Sequence, residues 1–242
     1  MRTIRIYQEG TYLPGQTLTL SEAASQHVGL VLRMQPSEQL TLFRGDNHEC
    51  LATILTVKKR QVMVQIDTNT EINRESPRSI HLAQAISKGD RMEWVIQKAV
   101  ELGVSSIAPL VTSHCVVRLN VDRMTKKQAQ WQAIAISACE QSGRNQIPVI
   151  HPTCSLDTYL QQCQARYKWV LYPDAGKSWR DYANLPGDMA LLIGPEGGLS
   201  ESEINQAMTK QFQPLCLGPR ILRTETAAIT AISVLQAVYG DI

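Results

Sequence analysis

The sequence predicts a two-part α/β protein: a small β-barrel with one inserted helix up to about residue 70, then a larger domain built on a parallel sheet from residue 79 onward. Three observations predict it. Apolar residues alternate with period two in the N-terminal part, strands alternate with helices after a polar stretch at 67–77, and residues 189–239 set out two strand–loop–helix units in succession.

In the N-terminal part, short β-branched runs at 3–7, 17–20, 39–43, 50–57 and 61–66 are separated by turn pairs such as Pro14-Gly15 and Gly45-Asp46. Ser21 is placed to cap the one helix, with Ala24, Val28, Val31 and Leu32 along its apolar face. Basic residues gather as Arg2, Arg5 and Arg33, and again as Lys58, Lys59 and Arg60. A solvated hairpin turn explains the second group as well as a binding role does. Arg5 and Arg33 are better candidates for phosphate, because the planar guanidinium fork grips two oxygens at once. The stretch DTNTEINRESP at 67–77 lacks periodicity and ends in proline, so it reads as a linker. The domains are then 1–70 and 79–242, with 71–78 between them.

Beyond it, a strand at 80–86 leads into a helix at 90–102 whose buried face is Met92, Val95, Ile96, Ala99 and Val100, with Gly103 as its stop. A strand at 107–111, a helix at 125–142 ended by Gly143, and further α/β alternation through 169–173 come next. Glu140 and Arg144 near that helix end either pair with each other or line a pocket. Strands separated by helices imply parallel pairing with right-handed crossovers.

The chain's centre of gravity is its C-terminal fifth. An apolar strand at 189–193 delivers the loop Gly194-Pro195-Glu196-Gly197-Gly198; Ser200 and Glu203 then form a capping box ahead of Ile204, Ala207 and Met208. A second strand at 214–217 delivers Gly218-Pro219-Arg220 and a helix at 224–239. That last helix is apolar almost all round, so it is buried in the core, between subunits, or both. A two-fold dimer is the economical arrangement.

The glycines leave backbone groups open to a ligand at a strand end. The loop suits a neutral or cationic ligand better than a polyphosphate: no Lys-Ser/Thr follows Gly198, the G-x-G-x-x-G fingerprint is absent, and Glu196 adds negative charge. Net charge is +2 and the isoelectric point near 8.2, so nucleic-acid binding would come from local patches. No run approaches the roughly 18 apolar residues of a membrane span, and residues 1–10 do not read as a signal peptide. The six cysteines, with no C-x-x-C pair, read as free and mostly buried thiols in a reducing cytoplasm. His114 and Cys115 are adjacent, and strand neighbours face opposite ways, so no metal is assigned.

IGPEGGLS at 193–200 and LGPRILRTETA at 217–227, with SKGDRMEWVIQKAVELGV at 87–104 and ACEQSGR at 138–144, resemble in order the SPOUT class of RNA methyltransferases. More narrowly they are similar to the family that methylates N3 of a uridine in 16S ribosomal RNA. The resemblance covers essentially the whole chain, although the N-terminal part matches only in general character. It implies a PUA-like barrel, a deep trefoil knot in the sheet domain, S-adenosylmethionine as cofactor, a homodimer, and as partner the ribosomal RNA of the 30S subunit or a late precursor.

On the same resemblance, cofactor contacts fall to Leu171, Ile193, Gly194, Pro195, Gly197, Leu217, Gly218, Ile221 and Leu222. Arg5, Arg33, Arg144 and Arg220 are the RNA-binding candidates. A uracil N3 must lose its proton, which calls for an acceptor and for donors at the flanking carbonyl oxygens. Arg223 is the candidate for the oxygen, and Glu225 or Glu196 for the acceptor or for holding that arginine. Glu225 also stands where a carboxylate simply favours a helix N-terminus. Methylation at carbon would need a cysteine in the loops; Cys216, just before the second, reads as core. Ribose 2′-O methylation and a non-enzymatic RNA-binding assembly role are the alternatives.

Overall fold

The computed structural model describes residues 4–58, 60–115, 121–173, 175, 178–179 and 187–242. Arg2 and Lys59 of the basic groups lie outside them. The chain divides into two compact units, Met1–Glu75 with Cys139–Ile147, and Ser76–Ala138 with Pro148–Ile242.

In the first unit, β1 (Arg5–Tyr7), β2 (Thr17–Thr19), β3 (Gln39–Phe43), β4 (His48–Lys58), β5 (Gln61–Ile66) and β6 (Thr70–Glu71) make one sheet. Its order is β1-β3-β4-β5-β2 with β6 on β4, and only β1 and β3 run parallel. The period-two residues Leu40, Leu42, Val62, Val64 and Ile66 fill the core beside Ile6.

Helix α1 (Glu22–Gln26) starts where Ser21 Oγ accepts the Ala24 N–H at 3.2 Å. It then widens into a π turn, His27–Val31, closed by the Leu32 N–H on the His27 carbonyl. The extra residue per turn rotates the succeeding side chains off the buried face. Ala24 and Val28 are buried, but Val31 is 67% and Leu32 36% exposed, which corrects the face expected from a regular helix. The stretch read as a linker is also tied down over most of its length: Thr70–Glu71 is a strand, the Ile72 N–H donates to the Asn47 carbonyl at 2.7 Å, and Arg74 pairs with Glu49 at 2.8 Å.

The second unit contains β7 (Ile80–Ala85), α2 (Arg91–Glu101), β8 (Ser106–Val111), α3 (Val121–Ser142, from Cys139 on part of the first unit), β9 (Val149–Ile150) and β10 (Cys154–Ser155). It continues through α4 (Leu156–Gln162), β11 (Tyr167–Leu171), β12 (Met189–Ile193), α5 (Glu201–Thr209), β13 (Gln213–Leu215) and α6 (Thr224–Tyr239). Every described strand pair is parallel, in the order β10-β8-β7-β12-β11-β13 with β9 on β8.

Helices cover both faces, which is why β12 is apolar at every position and buried throughout. Ala83, Ala190, Leu192 and Val170 turn toward Leu156 and Leu160 of α4 and Ala207 of α5. Helix α6 lies against β7, β12 and α2. The expected face of α2 is buried in full, and Gly103 comes after it with φ +81°. No described helix is long and apolar enough to cross a membrane.

Candidate active site

Strands β11, β12 and β13 end side by side in a parallel sheet, so the loops after them open on one edge. There they enclose a cavity of about 480 Å³, within the roughly 300–1,000 Å³ common for small-molecule sites. Leu171, Ile193, Leu215, Leu217, Ile221 and Leu222 give it apolar walls, and the backbone of Gly194, Gly198 and Gly218 reaches it between them.

The two glycine-proline loops are fastened to each other. Thr224 Oγ1, at the start of α6, donates to the Gly194 carbonyl at 2.6 Å and accepts from Gln84 Nε2 at 3.0 Å. Gln84 is fully buried on β7, so the tie is anchored in the sheet. At Gly194 a Cβ would come within 2.9 Å of the Leu199 nitrogen, so only glycine lets the loop fold back on itself there. The Gly198 N–H closes the turn onto the Pro195 carbonyl at 2.9 Å.

Among the described residues, the charged groups of the cavity are Arg91, Glu196, Arg220, Arg223 and Glu225. Glu196 Oε1 accepts from the Lys88 N–H at 2.8 Å and from Arg91 Nη1 at 2.7 Å. Burial raises its pKa, but its own N–H, that of Lys88 and the Arg91 guanidinium outweigh this and hold the carboxyl below the usual range. Glu225 Oε1 stands 3.8 Å from Arg91 Nε, while its Oε2 is buried without a hydrogen-bond partner among the described residues. Arg223 is exposed at the N-cap of α6 and Arg220 is exposed in the second loop.

Of the residues expected from sequence, the structure brings together Leu171, Ile193, Gly194, Pro195, Glu196, Leu217, Gly218, Arg220, Ile221, Leu222, Arg223 and Glu225. Gly197 is not among them. Its carbonyl receives His114 Nδ1 at 3.1 Å, and Gly198 lines the cavity in its place. Cys216 is corrected from core to cavity wall: it is partly exposed, and its Sγ lies 3.2 Å from the Gly218 carbonyl and 3.4 Å from the Gly218 nitrogen. The thiols as a set are less buried than expected, since only Cys50 and Cys139 are fully so.

Two expected phosphate contacts are occupied inside the first unit. Arg5 binds Glu49 at 2.6 Å and Asn145 Oδ1 at 2.5 Å and lies over the Phe43 ring, while Arg144 is buried against Glu75. Glu140 accepts the Tyr7 N–H at 3.0 Å. Guanidiniums held by partly buried carboxylates are poor phosphate ligands, whereas Arg33 and Arg220 are exposed. Reasoning from sequence passed over Arg91, Thr224 and Gln84. Arg91 and Thr224 stand inside the motifs that carry the resemblance, but only contacts across the sheet edge give them a role.

A family model described as an RNA methyltransferase domain matches residues 74–236, and one described as an RNA methyltransferase PUA domain matches residues 20–67. Ribosomal RNA small subunit methyltransferase E of Buchnera aphidicola subsp. Schizaphis graminum is 38% identical over 242 residues, covering 100% of this chain and 98% of the relative. That of Bacillus subtilis is 36% identical over 230 residues, covering 91% and 90%.

Among solved structures, a methyltransferase from Legionella pneumophila with bound S-adenosylmethionine superposes with a TM-score of 0.98 at 57% identity, covering 100% of both chains. The Neisseria gonorrhoeae ribosomal RNA small subunit methyltransferase E bound to S-adenosylmethionine gives 0.94 at 37% identity, again covering 100% of both. With two fastened loops around an apolar cavity, and relatives of this name matched from end to end, the chain belongs to the ribosomal RNA small subunit methyltransferase E family.

Proposed function

We propose that this chain is an S-adenosylmethionine-dependent methyltransferase that modifies N3 of a uridine in 16S ribosomal RNA. Membership of the family supports the enzyme class and the RNA. The observation that carries the chemistry is the Glu225 carboxylate at the wall of a cavity that it shares with Arg91, Glu196, Arg220 and Arg223, with no hydrogen-bond partner on its Oε2 among the described residues.

The residues present fit the cofactor. Leu171, Ile193, Leu217, Ile221 and Leu222 offer apolar surface for its base, and the backbone at Gly194 and Gly218 offers polar groups free of side-chain obstruction. When bound, S-adenosylmethionine supplies an activated methyl group, so the protein has to orient the acceptor and take up a proton.

Glu225 is the proton acceptor. A carboxylate oxygen with no competing donor can take the N3 proton, whereas Glu196 already receives two hydrogen bonds and is a holder. Arg223 neutralises charge developing on a flanking carbonyl oxygen, and Arg220 and Arg33 take phosphate. The target uracil enters unpaired, because its N3 is engaged in a helix.

The same reading extends to the fold and assembly. Strand β12 enters the sheet between β7 and β11, both laid down earlier, and α6 returns against β7 and α2. That order supports a C-terminal segment threaded through a loop, the trefoil knot of SPOUT proteins. The N-terminal sheet closes into the PUA-like barrel. A homodimer covers the outer side of α6, where Val238 is 42% exposed. The RNA is met in the cytoplasm, in the 30S subunit or a late precursor.

Mass mapping of 16S ribosomal RNA from cells lacking the protein tests the reaction: one N3-methyluridine is lost and returns with the wild-type gene. Arg223→Ala abolishes methyl transfer and keeps calorimetric cofactor affinity. Loss of a 2′-O-methyl group, or no loss at all, overturns the reading.

A further inference from the structure

Arg91, the first residue of α2, holds two carboxylates brought to it by two different loops. Its Nη1 is 2.7 Å from Glu196 Oε1, on the loop after β12, and its Nε is 3.8 Å from Glu225 Oε1, in the first turn of α6. The Lys88 N–H adds a second bond to the same Glu196 oxygen, so Glu196 fixes the guanidinium from the far side. Among the described residues, the other charged groups around the cavity are Arg220 and Arg223 of the second loop.

A glutamate side chain has three rotatable bonds, and the helix backbone restricts the first without fixing where the carboxylate ends. Attraction to a fixed cation on one of its oxygens does select one. The attraction engages Oε1, which leaves Oε2 as the buried oxygen with no donor.

We propose that Arg91 is a positioning residue for methyl transfer: anchored by Glu196, it holds the Glu225 carboxylate at the cavity wall, where that carboxylate takes up the uracil N3 proton. This rests on the reading of Glu225 as proton acceptor. Arg91 acts through Glu225 and has no role in holding the cofactor. The proton passes from N3 to the Glu225 carboxylate as the N3–methyl bond forms and the methyl–sulfur bond breaks, leaving neutral S-adenosylhomocysteine, and the carboxyl then releases the proton to solvent.

The test is a double-mutant cycle on the full-length enzyme, with single-turnover methylation of 30S subunits lacking the modification and calorimetry with S-adenosylmethionine. Arg91→Ala is expected to slow transfer by about 100-fold, the lower end of general-base effects, and to leave cofactor affinity within about threefold of wild type. Arg91→Lys recovers part of the rate because a cation is restored. In a Glu225→Gln background, Arg91→Ala is expected to slow transfer less than about threefold further, since residues acting as one unit are not additive.

Subunits carrying 5-fluorouridine, whose N3 proton leaves more readily, shrink the Arg91→Ala defect at least tenfold. Full additivity with Glu225→Gln, an equal defect on both substrates, or cofactor affinity falling in step with rate each overturn the proposal. If Glu225→Gln itself transfers methyl at the wild-type rate, the reading of Glu225 fails instead, and the two failures are told apart.

Discussion

At the scale of single residues, Gly194 shows how little freedom the loop after β12 has. The atoms a Cβ would strike are backbone, Leu199 N at 2.9 Å and Gly198 C at 3.0 Å, and backbone cannot step aside as a flexible side chain can. Gly194→Ala is therefore expected to displace the loop, lowering the melting temperature by an amount corresponding to about 1–3 kcal/mol. Cofactor affinity is expected to fall about tenfold, read by calorimetry on the same preparation. Unchanged affinity would mean the loop backbone is no part of the cofactor site. The identities of such residues were legible: the glycine-proline strings point to Gly194, Gly218, Glu196 and Glu225 without coordinates. Their division of labour was not. Glu196 and Glu225 are both carboxylates beside loops, and only the distances to Lys88 N, Arg91 Nη1 and Arg91 Nε set the doubly hydrogen-bonded Glu196 apart from Glu225, the basis for the proposed roles of holder and acceptor.

At the scale of elements, α5 is set by its cap. Ser200 Oγ accepts the Glu203 N–H at 3.3 Å, and Glu203 Oε2 takes the Ser200 N–H at 2.8 Å, the reciprocal pair that the spacing of Ser200 and Glu203 foretells. Glu203 does one thing more, for its Oε1 accepts the Ser113 N–H at 2.8 Å and so ties the helix start to the loop after β8. Ser200→Ala is expected to lower stability by about 1 kcal/mol, seen as a lower denaturant midpoint with unchanged slope. Glu203→Ala, which strips both connections, is expected to cost more than Ser200→Ala. Equal losses would show that the Ser113 bond contributes nothing. Elements with a long period or an explicit cap were legible from sequence, as α2, α5, α6 and β12 were. The two-residue strands β9 and β10 have no period to read. The π turn after α1 escapes because hydrogen bonding, not residue type, decides where a helix widens.

At the scale of the molecule, each unit has an electrostatic fastening of its own. In the first, burial pushes Glu49 up, but Arg74, Arg5 and Asn145 overcome this and bring its pKa to about 2 from an ordinary 4.5. A carboxyl depressed in the folded state contributes stability fully above its unfolded value, and that contribution disappears as protons are added down to the folded one. Thermal melts are therefore expected to show Glu49→Gln well below wild type at pH 7, with the gap narrowing between about pH 4.5 and 2. A gap that stays constant over that range would assign the loss to packing rather than to charge.

Local geometry was written in the chain itself: alternation of apolar residues makes strands, helical spacing and caps make helices, and glycine-proline pairs make the two open loops, since all of these act over a few neighbouring residues. Packing had to settle which strand ends lie side by side, that Cys139–Ile147 belongs with the N-terminal unit, that Arg5 and Arg144 are occupied by carboxylates, and that Arg91 meets Glu225. Those facts depend on groups tens to more than a hundred positions apart in the chain, and no local spacing encodes the distance between them.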